Sequence, residues 1–194
     1  MICTITPLGE GARIDRTPVV MYCATAAWTA ACVGLAVSLL GRASALSTST
    51  SWLVVGVLML AYGLRELGFI RLPVPSRRWQ VPAEWVSRNP VEGAIIWGVC
   101  LGSGVLVYMP YAAFYGLMAW LFVSGEALSG LLLGSAYGLG RSCPVLVRAL
   151  RAGSARQSET ISLYGWRGIW HQVHGLMMGA LGAFLLVAKA GLSF

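Results

Sequence analysis

The sequence predicts an all-α, polytopic membrane protein with about five transmembrane helices, and three observations support this fold class. Hydrophobic residues make up 57% of the 194 residues and charged residues only 11%, whereas charged residues make up about 25% of a typical soluble domain. The 30 residues 94–123 include no charged side chain, and one bilayer span needs only about 20 apolar residues. The basic residues fall between the apolar runs, as they do in membrane proteins of defined topology.

The chain is predicted to form a single membrane domain, 1–194, which begins with a cytoplasmic N-terminal segment, 1–17. That segment lacks the apolar core of a secretory signal peptide. The first two spans are predicted at 19–40 and 52–70, on either side of a turn rich in serine and threonine. The loop 71–92 combines proline, arginine and tryptophan, which is typical of an amphipathic segment at the membrane surface.

The third and fourth spans are both predicted to be broken by proline. Pro110 lies inside the long uncharged run and follows Gly102 and Gly104. Because proline removes a backbone donor and crowds the preceding turn, a kink or a gap is expected close to it. The fourth span, 127–150, carries Pro144 in the same way. A fifth span is predicted at 169–188.

The two charged residues near the end of the second span are expected at the membrane surface. Arg65 and Glu66 are adjacent opposite charges close to the end of that span. Long charged side chains at such positions extend to the lipid headgroups. With both placed there, no acidic residue is expected deep inside a span, which argues against a carboxylate-based proton relay.

The distribution of basic residues predicts the orientation. Lys189 and Arg42 fall on one side of a five-span chain. Ten arginines fall on the other side: Arg13, Arg16, Arg71, Arg77, Arg78, Arg88, Arg148, Arg151, Arg156 and Arg167. Because basic loops stay in the cytoplasm, we expect a multi-pass protein of the cytoplasmic membrane with its N-terminus inside and its C-terminus outside. The lipid bilayer is thus the first expected partner, and no nucleic-acid partner is predicted.

Short motifs in the later half resemble a known family. Residues 137–140, Tyr-Gly-Leu-Gly, precede Pro144, and Pro110 precedes Tyr111. These motifs, with the helix 52–69, are similar to those of the cytochrome c biogenesis CcdA family and the transmembrane domain of DsbD. The resemblance implies thiol-disulfide electron transfer across the membrane, with a thioredoxin-like or other membrane protein as partner. The chain departs from that family in lacking its first helix and in carrying tyrosine at 111 instead of cysteine.

Two cysteines are the candidate catalytic thiols. Cys143 follows Arg141 by two residues, and a neighbouring cation favours the reactive thiolate. Cys100 is the second candidate, and the alternative for both is an inert side chain in helix packing. The predicted substrate-binding residues surround the two prolines: Pro110, Tyr111, Arg141 and Pro144.

A metal site is the remaining candidate. His171, His174 and Met178 recur close to one face of the last span, and imidazole with thioether suits copper or another soft metal. The alternative is an interfacial belt of tryptophan, arginine and histidine at the cytoplasmic surface. No cofactor is predicted.

These observations favour a thiol-disulfide electron carrier as the leading function. The alternatives are a non-redox transporter of a small substrate or metal, and an accessory subunit of a membrane complex. Whether the protein is an enzyme is left open by the sequence.

Overall fold

The computed structural model describes residues 16–44, 48–73, 81–82, 84–85, 89–104, 106, 111–151 and 167–190. All regular structure in these residues is helical, so the predicted all-α fold class is confirmed. The main helices, in chain order, are α1 Thr17–Ser44, α2 Ser49–Glu66, α3 Pro90–Ser103, α4 Ala113–Ser124, α5 Ala127–Arg151 and α6 Arg167–Ala190.

Two of these helices are long and apolar enough to cross a membrane. They are α1 and the part of α6 from His171 to Lys189, and the apolar helices α3 and α4 are shorter. Length and composition therefore give weak support to a membrane location. The count of five spans stays a prediction.

A helix boundary falls within the predicted third span. The helix α3 ends at Ser103, and α4 begins only at Ala113. At the end of α3, Gly104 adopts a φ of 68° and its N–H donates to Leu101 O. A left-handed glycine is a common helix terminator, so α3 already ends at Ser103, seven positions before Pro110. Pro110 itself lies outside the described residues.

The predicted break of the fourth span is wrong. The helix α5 continues through Pro144 to Arg151. Proline at this position loses the hydrogen bond to the carbonyl of residue 140 and crowds it. Residue 140 is glycine, and even an added Cβ would meet no atom within 4 Å. The surroundings of residue 140 outside its own helix are therefore open, and the loss of one hydrogen bond does not end the helix.

The described chain divides into two compact units. Unit 1 comprises Met1–Gly34, Arg77–Tyr108 and Leu131–Gln157. There α1 lies in close contact with α3 and α5, because glycines replace side chains at the crossings. A Cβ at Gly102 would lie 2.4 Å from Ala26 O, and one at Gly134 would lie 2.3 Å from Ala30 O. Small residues allow helices to approach in this way.

Unit 2 comprises Leu35–Ser76, Met109–Gly130 and Ser158–Phe194. Its main contact is the antiparallel pair of α2 and α6, in which Gly56 lies beside Gly182 and Gly63 lies beside Gly175. The helix α4 packs on this pair. The buried core of the unit consists of Val55, Met59, Ala112, Val123, Met178 and Leu185.

Candidate functional site

A buried carboxylate lies at the end of α2. Glu66 is only 7% exposed, so the prediction that it extends to the headgroups is wrong. Its Oε1 accepts hydrogen bonds from the Ala112 N–H, at 3.0 Å, and from Arg65 Nη1, at 2.7 Å. Its Oε2 is bonded to Nδ1 of His171. The carboxylate thus joins α2 to α6 and to the start of α4.

These contacts explain how a carboxylate is accommodated among apolar helices. Burying an unpaired charge is very unfavourable, whereas a charge with full hydrogen bonding is tolerated. Both oxygens of Glu66 have donors, and two of its partners, Arg65 and His171, also supply positive charge when protonated. Because an ionised carboxylate only accepts hydrogen bonds, we assign the proton of this contact to Nδ1 of His171.

The chain that follows α2 folds back onto the same helix. Nε of Arg65 donates to Leu72 O at 2.7 Å, and the Tyr62 hydroxyl donates to Pro73 O at 3.3 Å. Gly68 has a φ of 87°, a conformation that glycine adopts at little cost. Arg65 is therefore held by both the carboxylate and this segment.

Tyr111 lies against both histidines of α6. Its ring centroid is 4.6 Å from that of His174, with nearly parallel planes, and 4.8 Å from that of His171. Arg65, Glu66, Tyr111, His171 and His174 together form what we call the Glu66 cluster.

Close approach of α2 and α6 makes the Glu66 cluster possible. A Cβ at Gly175 would lie 2.9 Å from Cγ of Leu67 and 3.1 Å from Cβ of Glu66. A Cβ at Gly63 would lie 2.7 Å from the backbone nitrogen of Gly179. Side chains at these two glycines would separate the helices and move His171 away from the carboxylate.

The geometry gives the Glu66 cluster two chemical capacities. A carboxylate on Nδ1 fixes the orientation of an imidazole and leaves its Nε2 for another contact. The His171 side chain is 28% exposed, so this contact can be made with a group outside the chain. The same bonds also hold three separate segments of unit 2 together.

The structure does not bring the predicted thiol and substrate-binding residues into one site. Cys100 is buried in the core of unit 1, whereas Cys143 is exposed and both are free thiols. Arg141 donates to the Tyr137 hydroxyl at 2.9 Å. Positions two apart lie on nearly opposite sides of a helix, so Arg141 does not share the face of Cys143. Pro144 is exposed on α5.

The predicted metal ligands are also not assembled. Met178 is buried in the core of unit 2, about 10 Å along the helix from His171. Nδ1 of His171 is already bonded to Glu66. Among the residues that the structure describes, no three histidine, cysteine or acidic side chains are placed to hold a metal.

Glu66 is the functional candidate that the sequence interpretation missed. The signal was present, because a carboxylate next to a long apolar helix is by default a functional candidate. Its position at the predicted span end, beside arginine, favoured a surface role instead. Tyr111 was predicted as a substrate-binding residue, and the structure places it in the Glu66 cluster.

The fold and the cluster define an all-α protein with membrane-length apolar helices and a buried glutamate–histidine pair. The chain matches no protein-family profile and no solved structure. It is, however, similar to curated proteins named methylamine utilization protein MauF. The identity to MauF of Paracoccus denitrificans is 33% over 144 aligned positions, and the alignment covers 70% of this chain and 48% of that protein.

Two further relatives carry the same name. MauF of Paracoccus versutus is 33% identical over 157 residues, covering 77% of this chain and 57% of that protein. MauF of Methylorubrum extorquens is 29% identical over 206 aligned positions, covering 97% of this chain and 68% of that protein. The chain thus spans about half the length of the first of these relatives.

These similarities correct the family expected from the sequence. The resemblance to CcdA and DsbD is wrong, because the relatives are MauF proteins. The functions derived from it, thiol-disulfide electron transfer and cytochrome c biogenesis, are wrong with it. These MauF relatives also give no support to the transporter alternative. The misleading motifs consist of glycine, proline and tyrosine, of which glycine and proline are frequent in membrane helices generally.

Proposed function

We propose that the protein is an accessory component of a methylamine utilization system and that it acts through a protein partner. The 33% identity to MauF of Paracoccus denitrificans over 144 residues carries this proposal. The cluster supports it, because His171 is oriented by a buried carboxylate and remains partly exposed to other molecules.

We propose further that the protein is a multi-pass component of the cytoplasmic membrane. Five spans place ten arginines on the cytoplasmic side and only Arg42 and Lys189 outside. The asymmetry supports a cytoplasmic N-terminus and an external C-terminus. The apolar helices α1 and α6 support a membrane location.

The function is tested by complementation. In a Paracoccus denitrificans strain that lacks its own MauF, we expect growth on methylamine to be restored by a chimera. The chimera replaces the 144 matched positions of MauF with those of this chain. Growth on succinate serves as the control for general fitness. A chimera that is present in membranes at the level of intact MauF, yet leaves the strain unable to use methylamine, would contradict the proposal.

The topology is tested by reporters that work on only one side of the membrane. Alkaline phosphatase fused after Phe194 is expected to be active, because it folds outside the cytoplasm. A green fluorescent protein inserted near Ser154 is expected to fluoresce, because the basic loop stays inside. Both sites lie outside the described residues. An inactive phosphatase after Phe194, together with fluorescence from a green fluorescent protein fused at the same position, would refute the five-span orientation.

A further inference from the structure

An aromatic corner lies at the other end of α2 from the Glu66 cluster. Trp52 precedes Glu66 by roughly 20 Å of helix. Its ring makes an edge-to-face contact with that of Trp120 on α4, with centroids 5.1 Å apart and planes at 78°. Lys189 of α6 lies against the Trp52 ring, so three helices of unit 2, α2, α4 and α6, meet at this corner.

Lys189 places a cation on this corner. Its Nζ lies 5.8 Å from the centroid of the Trp52 ring. This distance is within the range of about 6 Å in which a cation is attracted to the face of an indole ring. The end of a lysine side chain is chemically a primary alkylammonium ion. The protein itself therefore presents such an ion to the aromatic corner.

An open groove lies between the same two helices, α2 and α4. It has a volume of about 250 Å³ and is lined by Ser51, Val54, Val55, Ala119, Phe122 and Val123. Ser51 and Ala119 directly precede the two tryptophans in the chain. The groove is mainly apolar, so it suits an alkyl group better than a second charge.

We propose that the aromatic corner, formed by Trp52 and Trp120, binds small primary alkylammonium ions, and that Lys189 occupies the cation position in their absence. A bound ion places its charge on the Trp52 face, in the position that Nζ of Lys189 occupies. Methylammonium is the free ligand to test, and that choice rests on the proposed function. The ethanolamine headgroup of a phospholipid presents the same chemistry and is the second source.

The test is equilibrium dialysis of radiolabelled methylammonium against the full chain in detergent micelles, with potassium as the buffer cation. Lys189→Met empties the cation position and is expected to tighten binding about two- to fivefold, the value of one exposed cation–π contact. Trp52→Leu in the Lys189→Met background is expected to abolish the gain. Trp52→Phe retains a ring and is expected to give an intermediate affinity.

Trp28→Leu is the matched control, because Trp28 is a 73% exposed indole of unit 1 and its loss is expected to leave binding unchanged. Equal binding by the original chain and Lys189→Met would overturn the proposal. So would binding that survives in both Trp52 variants at full strength. Growth complementation plays no part in this measurement, so a failed chimera with intact binding would refute only the proposed function.

Lipid nanodiscs separate the two sources of ligand. Discs of phosphatidylglycerol alone are compared with discs that also contain phosphatidylethanolamine. Weaker methylammonium binding in the second kind would identify the headgroup as the competing occupant. Equal, measurable methylammonium binding in both kinds of disc would identify the free amine as the ligand. Absence of binding in both would contradict the proposed ammonium site.

Discussion

Replacing Glu66 with glutamine is expected to lower the free energy of unfolding by about 2–3 kcal/mol and to abolish growth of the chimera on methylamine. Removing one partner of a fully buried ion pair costs about 3–5 kcal/mol. We expect the smaller loss of about 2–3 kcal/mol, because the Arg65 and His171 side chains are 26% and 28% exposed. Thermal unfolding in detergent micelles, followed by circular dichroism, measures the change in stability.

The control for this substitution is Glu126→Gln. Glu126 is exposed, and its Oε2 accepts from Ser129 at 2.5 Å. Substitutions at such surface positions usually change stability by less than about 0.5 kcal/mol. Glu66→Gln combined with His171→Asn should show a coupling energy of roughly 1–3 kcal/mol, as residues in direct contact do. Strictly additive effects would mean that the carboxylate–imidazole contact does not stabilise the fold.

Substituting alanine for Gly63 is expected to destabilise unit 2 by at least about 2 kcal/mol, in the upper range for an overpacked site. The new Cβ would lie 2.7 Å from the backbone nitrogen of Gly179 and 2.9 Å from Gly175 O. Backbone atoms cannot rotate away as a side chain does, so α2 and α6 must separate. The unfolding temperature in micelles is expected to fall accordingly.

Gly179→Ala provides a matched comparison at the same helix crossing. A Cβ at Gly179 would meet no atom within 4 Å. Alanine is favoured over glycine by about 1 kcal/mol inside a helix, so this variant is expected to be as stable as the original chain or more so. If both alanine variants unfolded at the same temperature, the close approach of α2 and α6 would not be a determinant of stability.

The sequence was sufficient to predict the all-α part of the fold class, because long apolar runs between polar segments are typical of helices. It was less reliable for the helix ends. Gly104 ends α3 before Pro110 is reached, whereas α5 continues through Pro144 beside Gly140. Proline in a motif thus does not by itself show where a helix ends.

The Glu66 cluster was beyond sequence reasoning for a different reason. Glu66 and His171 are 105 positions apart, and their contact depends on the glycines that bring α2 and α6 together. Without that pairing, Glu66 beside Arg65 looks like any charged span end. The sequence did single out Tyr111, His171 and His174, but for substrate and metal binding. Their actual contacts with one another follow from the tertiary structure.

The bond from Glu66 to Ala112 also has a consequence for the order in which the chain assembles. Ala112 caps α4 without a side-chain hydrogen bond of its own, and its N–H relies on a carboxylate 46 positions earlier. During synthesis α2 emerges from the ribosome before α4, so the Glu66 carboxylate is already present when the N–H of Ala112 appears. Among the described helices α6 is synthesised last, and it brings His171 to the other oxygen. The carboxylate therefore gains its full set of partners only after α6 has been synthesised, and a chain truncated before α6 retains Glu66 with two of its three partners, Arg65 and Ala112.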